Sequence, residues 1–218
     1  LRVGTPRLKD YFKRLGFFEP LPLELAEAEH AAPLLPPKWT DLSSMTISFG
    51  HGIAVSPVHL AAAFATLAGG GKRVLPTLIK GGAEPTERVF SPETARTMMQ
   101  IIREVVRRGT GRRTNLPGYE VGGKTGTADK PRPGGGYYND RVIATFASVF
   151  PTSNPRYALV ISLDEPVDLS GPKPKREASR TAVPVTAAAI RRIAPLLGMR
   201  PLPLSAPAGL ATVAAGGQ

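Results

Sequence analysis

A chain of 218 residues is long enough to bury the core of one full domain but would be cramped as two. It contains 28 Lys and Arg against 17 Asp and Glu, which leaves a net charge of +11, and 42% of its residues are hydrophobic. No run approaches the roughly 20 apolar residues that cross a bilayer. The lack of cysteine excludes disulfides, thiolate metal sites and a cysteine nucleophile.

The first half of the chain predicts helices separated by irregular stretches. Residues 5–16 have a short amphipathic pattern, whereas 19–44 are interrupted by prolines and show little period. A clear helix follows over 56–71, with Ser56 at its N-cap, Pro57 in its first turn and Gly69 at its end. Apolar residues on all sides of this helix predict that it is buried.

A second helix is predicted over residues 91–109, after an extended segment at 73–79. Its apolar side chains lie on one stripe, as expected for a helix with one buried face. The stripe consists of Ala95, Met98, Met99, Ile102, Val105 and Val106. Arg107 and Arg108 suit the negative end of the helix dipole, and Gly109 ends the helix.

The second half of the chain predicts an antiparallel sheet. Residues 141–150 and 156–165 have strand length and are apolar on both faces, as in a sheet covered by helices. The five residues 151–155 cannot contain a crossover helix, so the two strands must form a hairpin. A helix is predicted over 181–198. The Pro-, Ala- and Gly-rich tail 200–218 is predicted to be a loose end.

The stretch GYEVGGKTGTADK at 118–130 matches the phosphate-binding pattern G-x-x-x-x-G-K-T literally, from Gly118 to Thr125. A phosphate loop needs a buried strand before its glycines and a helix after its Lys-Thr. Here the preceding residues are too polar for a central parallel strand, and prolines and glycines at 131–136 forbid the helix. The match is interpreted as accidental.

Lys124, Thr125 and Gly126 also form K-T-G, one of three motifs of penicillin-binding proteins and serine β-lactamases. In those proteins the lysine lies on an edge strand beside the active-site cleft, and the glycine lets substrate approach the backbone. Residues 119–128 are predicted to be this strand, with residues 129–140 protruding as a mobile loop. A tripeptide alone is a weak signal, and Lys124 would also suit an edge-strand lysine that prevents aggregation.

The surrounding stretches resemble the transpeptidase domain of class B penicillin-binding proteins, above all the septal enzyme of Gram-negative bacteria. The resemblance runs in the family's order from Val3 to Met199. The stretches that carry it are 47–71, 91–130, 141–151 and 163–166. The resemblance implies an α+β fold in which an antiparallel sheet is flanked by helices. Residues 1–199 would be the C-terminal part of this penicillin-binding-protein and serine β-lactamase-like fold.

By resemblance, the substrates are peptidoglycan stem peptides, cross-linked in septal wall synthesis through an acyl-serine intermediate that β-lactams can trap. The amide of Thr127 would stabilise the oxyanion, and the Thr125 and Thr127 hydroxyls would face the substrate's terminal carboxylate. Lys124 would add positive charge there, and Gly126 would leave room for the substrate. The expected location is the periplasmic face of the inner membrane, with an anchor upstream and other division and wall-synthesis membrane proteins as partners.

Two of the family's three motifs, S-x-x-K and S-x-N, are expected upstream of Leu1, so the chain alone should not be acylated. Residues 170–173 (SGPK) match the first motif literally. Their Gly and Pro spoil the helix start that would present Ser170, and they follow Lys124 instead of preceding it. Residues 137–139 (YYN) match a variant of the second motif, but they are predicted to lie in a glycine-rich loop and are also downstream.

Three other functions remain possible at this point: a serine β-lactamase or penicillin sensor, a nucleotide-binding enzyme, and a non-catalytic basic module. The basic residues are scattered and aromatics make up only 6% of the chain, so nucleic-acid binding is not predicted. His30, His51 and His59 lack metal-ligand spacing, with His59 predicted to be packed or half-exposed in a helix. No metal or cofactor is predicted.

Overall fold

The computed structural model of the protein describes residues 2–82 and 87–202. In chain order its helices and strands are α1 (Thr5–Arg14), α2 (Asp41–Ile47), α3 (Pro57–Ala68), α4 (Pro92–Arg108), β1 (Gly122–Pro131), β2 (Tyr137–Phe150), β3 (Tyr157–Asp164) and α5 (Ala182–Leu196). Short 3-10 turns occupy Ala26–His30 and Arg112–Thr114. Most of the predicted tail, 203–218, lies outside the described residues.

The predicted helices are confirmed, and their capping is as expected. The Ser56 hydroxyl accepts the backbone N–H of His59 at the start of α3, and the Ser91 hydroxyl accepts that of Thr94 at the start of α4. In each helix a proline occupies the first turn. The burial predicted for α3 holds only in part, because Val58 is 40% exposed.

Helix α2 was not predicted, because it is short and follows a proline-interrupted stretch without apolar period. It depends on a capping box in which Thr40 and Ser43 exchange side-chain hydrogen bonds with each other's backbone N–H. The predicted extended segment 73–79 belongs to no strand of the described chain. Its neighbour Lys72 forms an isolated bridge with Arg88.

The three strands form one antiparallel sheet in the order β1-β2-β3, as predicted. Helix α5 packs on one face, against alternate β2 residues such as Phe146 and Phe150. Helices α3 and α4 cover the other face, where Met99 and Ile102 contact Val149. The prediction of an antiparallel sheet with helices on both faces is therefore confirmed. None of the helices in the described part of the chain is long and apolar enough to cross a membrane.

Strand β1 begins at Gly122, not at residue 119 as predicted. Gly118 has φ 79° and Glu120 has φ 44°, values that a β-strand does not contain, so the chain turns before it pairs. Residues 119–121 consequently form the approach to the strand.

The prediction of a mobile loop at 129–140 is wrong, because both ends of that segment continue the hairpin. Asp129 pairs with Val142 and Pro131 with Tyr137, across a bulge in the register. Only residues 132–136 turn, and the positive φ angles of Gly134, Gly135 and Gly136 allow the chain to reverse there. Tyr137 therefore begins a strand, and residues 137–139 lie on β2 and not in a loop.

His59 is a packed residue of α3, with 1% of its surface exposed. Its Nδ1 lies 2.8 Å from the Ser56 hydroxyl and its Nε2 lies 2.9 Å from the Glu19 carbonyl oxygen. Both ring nitrogens are satisfied, so the histidine joins α3 to the N-terminal segment.

Candidate active site

The K-T-G residues lie in the middle of β1, at the edge of the described sheet. In the register, Lys124 faces Ala147, Thr125 faces Phe146, Gly126 faces Thr145 and Thr127 faces Ala144. No helix begins at Lys124 or Thr125, and the strand pairs antiparallel to its neighbour. This geometry excludes the phosphate-loop alternative.

The backbone of Thr127 points away from the sheet. The Glu165 N–H donates to the carbonyl oxygen of Val142. These two residues lie directly opposite each other, next to the Ile143–Asp164 pair of the β2–β3 register. Because backbone groups of an antiparallel pair alternate in direction, even-numbered residues of β2 bond to β3 and odd-numbered ones to β1. Thr127 faces the even-numbered Ala144. Its N–H and carbonyl are therefore directed to the open edge, where they can meet a ligand.

The Thr125 and Thr127 side chains stand on the sheet face covered by α5, the face of their partners Phe146 and Ala144. The Thr125 hydroxyl lies 2.8 Å from the Thr110 hydroxyl, in the loop after α4. The Thr127 hydroxyl accepts the backbone N–H of Ala178 at 3.0 Å, just before α5. The two side chains are thus held by elements outside their own strand.

Lys124 is exposed and lies on the opposite face from the threonines, level with Ala147. Its ammonium Nζ donates to the Thr125 carbonyl oxygen at 2.7 Å. Because that carbonyl, like the Thr127 amide, points to the open edge, this contact holds the positive charge beside the edge.

The glycines of the motif region have different roles. A Cβ on Gly126 would have Thr145 O, at 4.0 Å, as its nearest neighbour, so the strand is open there. A Cβ on Gly123 would lie 2.5 Å from Phe146 Cζ, and one on Gly122 would lie 2.6 Å from Thr152 Cγ2. Gly122 and Gly123 therefore differ from Gly126, because packing requires glycine at these two positions.

Thr110 and Ala178 were missed by the sequence analysis. Thr110 lies between two glycines directly after α4, a pattern that indicates a special turn but not a contact with Lys124-Thr125-Gly126. Ala178 contributes only its backbone N–H, which no residue type reveals. Both contacts depend on how the helices pack on the sheet.

The predicted site does not include Ser170. Its backbone N–H donates to Asp168 Oδ1 at 2.9 Å in an irregular exposed loop, so it does not begin a helix. This agrees with the rejection of residues 170–173 as a nucleophile motif. Within the described residues, no three His, Asp or Glu side chains are grouped so as to hold a metal ion.

Known proteins are similar to this chain in sequence and in fold. Residues 1–190 match the penicillin binding protein transpeptidase domain. The chain belongs to this family. Relatives of this penicillin-binding transpeptidase domain include the probable peptidoglycan D,D-transpeptidase FtsI of Caulobacter vibrioides, 39% identical over 210 residues, or 91% of this chain and 35% of the relative. The peptidoglycan D,D-transpeptidase FtsI of Escherichia coli K12 is 34% identical over 168 residues, or 76% and 28% of the two chains.

Solved transpeptidase structures have the same fold. Penicillin binding protein 3 of Mycobacterium tuberculosis, complexed with ampicillin, superposes with a TM-score of 0.79 at 29% identity, over 94% of this chain and 49% of that one. The transpeptidase domain of penicillin-binding protein 3 from Burkholderia pseudomallei gives 0.77 at 30% identity, over 90% and 59%. The chain thus spans about half the length of these structures and about a third of the Caulobacter relative.

Proposed function

We propose that the protein to which this chain belongs is a D,D-transpeptidase that cross-links peptidoglycan stem peptides in septal wall synthesis. The observation that carries the proposal is the backbone of Thr127, which points to the open edge of β1 beside the Lys124 ammonium. An acyl-transfer site needs such a fixed N–H donor where negative charge develops. The names of the relatives supply the reaction and the substrate.

In the proposed reaction, the nucleophile is a serine that precedes the printed residues. Its oxygen bonds to the carbonyl carbon of the peptide's penultimate residue, and the resulting oxyanion accepts the N–H of Thr127. The peptide C–N bond breaks, and the leaving amine takes the proton that the serine hydroxyl released. An acceptor amine then bonds to the same carbon, the C–O bond to serine breaks, and the amine proton passes to the serine oxygen.

The side chains of β1 would bind the terminal carboxylate of the donor peptide. The Thr127 hydroxyl already accepts the Ala178 N–H, so its own proton is free to donate to that carboxylate. Thr125 can do the same when Thr110 donates to it. Lys124 contributes a positive charge at the edge, where its Nζ lies 2.7 Å from the Thr125 carbonyl oxygen.

β-Lactams would acylate the same serine, because their ring amide and carboxylate imitate the peptide terminus. Ampicillin is bound in the solved structure from Mycobacterium tuberculosis. We further propose that the protein acts on the periplasmic side of the inner membrane, held by an anchor outside the printed residues, alongside other division and wall-synthesis membrane proteins. The peptidoglycan substrate supports that location.

The proposal is tested by labelling with a fluorescent penicillin. Residues 1–218 alone should stay unlabelled, and the chain extended upstream through the whole transpeptidase domain should be labelled and lose its label slowly. Rapid loss of label would indicate a β-lactamase instead. Thr127→Pro removes the outward amide together with the hydroxyl. The β1–β2 hydrogen bonds should survive, and acylation should slow by at least ~10²-fold, more than when the hydroxyl alone is lost. Thr127→Ser keeps amide and hydroxyl and should have a mild effect. Labelling of Ser170 in the isolated chain would contradict the assignment.

A further inference from the structure

A basic pocket lies behind the two threonines of β1, where the loop after α4 meets the segment before α5. Its volume is about 300 Å³. We call it the arginine pocket, and it is lined by Gly109, Thr110, Arg112, Arg113, Ser179 and Arg180.

Two hydrogen bonds connect the arginine pocket to the candidate active site. Thr110, which lines the pocket, lies 2.8 Å from the Thr125 hydroxyl. Ser179, on its other side, directly follows Ala178, whose N–H donates to the Thr127 hydroxyl. One residue, Thr110, therefore separates the pocket from Thr125, and two residues, Ser179 and Ala178, separate it from Thr127.

The positive charges of the pocket are available to a ligand. Arg112, Arg113 and Arg180 are exposed, and none of the ion pairs found among residues 2–82 and 87–202 involves them. Asp168 lies close enough to this group for Arg180 and Arg113 to act on its carboxyl. Hydrogen bonds from Ser170 lower the pKa of its carboxyl, and the charges of Arg180 and Arg113 lower it further. Even when Asp168 and the exposed Glu177, three residues before Arg180, are both counted against the three arginines, the cluster keeps a net positive charge.

A neighbouring pocket adjoins the arginine pocket. It has a volume of about 290 Å³ and shares Arg180 with the arginine pocket. Lys173 and Lys175 also line it, together with Asp168. Basic side chains therefore continue from the arginine pocket into its neighbour.

We propose that the arginine pocket binds a carboxylate of the acceptor peptide, the second substrate of the transpeptidation proposed above, on which this inference rests. The donor's terminal carboxylate lies at Thr125 and Thr127 until the residue that carries it leaves. The acceptor then enters from that vacated side, which the arginine pocket borders. An acceptor whose amine is accompanied by an additional carboxylate would be held there while its nitrogen attacks the acyl carbon, as in the balanced step described above.

The test compares how fast an acyl-enzyme reacts with two acceptors of equal shape. The chain extended upstream is acylated with a D-alanyl thioester, and the ratio of aminolysis to hydrolysis is measured with D-glutamate and with D-glutamine, which differ by one negative charge. We expect the wild-type protein to prefer D-glutamate roughly five-fold, the scale of an exposed ion pair. The double variant Arg113→Gln/Arg180→Gln should use the two acceptors about equally.

A matched control removes the same charge elsewhere. Arg191→Gln/Arg192→Gln, on an exposed part of α5, should keep the preference. Acylation by penicillin should be normal in both double variants, which would show that each is folded and that the first half-reaction does not need Arg113 and Arg180. Equal use of both acceptors by the wild type, or a preference that survives the pocket variant, would overturn the inference. So would loss of acylation in the pocket variant alone. Failure of the wild type to react with penicillin would instead contradict the proposed function.

Discussion

The hydroxyl of Thr127 on β1 accepts the backbone N–H of Ala178, at 3.0 Å. The contact joins the edge strand to the segment that leads into α5, and the two residues are 51 positions apart in the chain. Because the amide can only donate, it fixes which way the hydroxyl is used: one lone pair is occupied, and the proton remains for a ligand. The side chain is thus oriented as a donor before any substrate arrives.

Replacing Thr127 by Val should slow acylation of the upstream-extended chain by penicillin about ten-fold. The variant keeps the outward amide but loses a hydrogen bond to a carboxylate, which contributes about 1.5–3 kcal/mol when one partner is charged. Thr127→Ser should retain most of the rate, and stopped-flow measurement of acylation compares the two. Equal rates for Val and Ser would show that the hydroxyl does not contact the carboxylate.

Thr110 is predicted to be a positioning residue, acting through its contact with Thr125. Thr110→Val should weaken the initial, noncovalent binding of penicillin about five-fold, the scale of one neutral hydrogen bond, and leave the rate of the bond-forming step nearly unchanged. Thr110→Ser should restore the binding. The dependence of the acylation rate on penicillin concentration separates the noncovalent binding constant from the rate of the bond-forming step. A fall in the bond-forming step alone would refute this role.

Gly123 and Gly126 should respond oppositely to alanine. A Cβ at position 123 would lie 2.5 Å from Phe146 Cζ, and overpacking of this kind destabilises proteins by about 1–3 kcal/mol. Gly123→Ala in the upstream-extended chain should therefore lower the Tm by roughly 5 °C. Gly126→Ala should leave the Tm unchanged, since the position is open, but slow acylation because the methyl group meets the substrate. Equal melting temperatures for both variants would contradict the packing described at Gly123.

Lys130 near the end of β1 forms ion pairs at the end of β3, and their contribution to stability should depend on pH. Lys130 Nζ lies 2.8 Å from carboxylate oxygens of both Asp164 and Glu165. Hydrogen bonding from Lys130 lowers the pKa of Glu165 below its ordinary value of 4.5. A lowered folded-state pKa stabilises the fold above the unfolded pKa, and this contribution disappears as pH falls through the folded value.

Lys130→Gln should therefore raise the pKa of Glu165, measured by NMR titration of its carboxyl carbon. It should also lower the Tm slightly at pH 7 and no longer do so once pH has fallen below the folded pKa. Lys80→Gln, at an exposed lysine outside the ion pairs of the described residues, is the control. A Tm difference that persists unchanged in acid would show that the ion pairs are not its source.

Much of the fold could be predicted because local signals agreed with it. Ser56 and Ser91, each followed by proline, fixed the starts of α3 and α4. The short segment 151–155 forced the β2–β3 hairpin. Helix α2 was not predicted, because it has no apolar period and its start depends on a capping box. The length of the β1–β2 hairpin was not predicted because its glycines and prolines indicate a loop, whereas cross-strand pairing continues to Pro131 and Tyr137.

The motif residues could be predicted, but not the contacts that orient them. The spacing of Lys124, Thr125 and Gly126 is a local pattern that a family resemblance can place on a strand. The Thr110–Thr125 and Ala178–Thr127 hydrogen bonds join separate elements, and one of them uses only a backbone amide. Such contacts follow from how α4 and α5 pack on the sheet, which no local pattern specifies.

The most direct test of the site is the acylation rate of Lys124→Ala in the upstream-extended chain. Lys124 holds the positive charge at the open edge of β1, with Nζ 2.7 Å from the Thr125 carbonyl oxygen. Loss of a preorganised charge at an acyl-transfer site should slow acylation by penicillin by at least ~10²-fold. The measurement is the second-order rate constant, with circular dichroism to show that the variant is folded. An unchanged rate would mean that Lys124 only protects an exposed strand edge, and that the active site does not lie here.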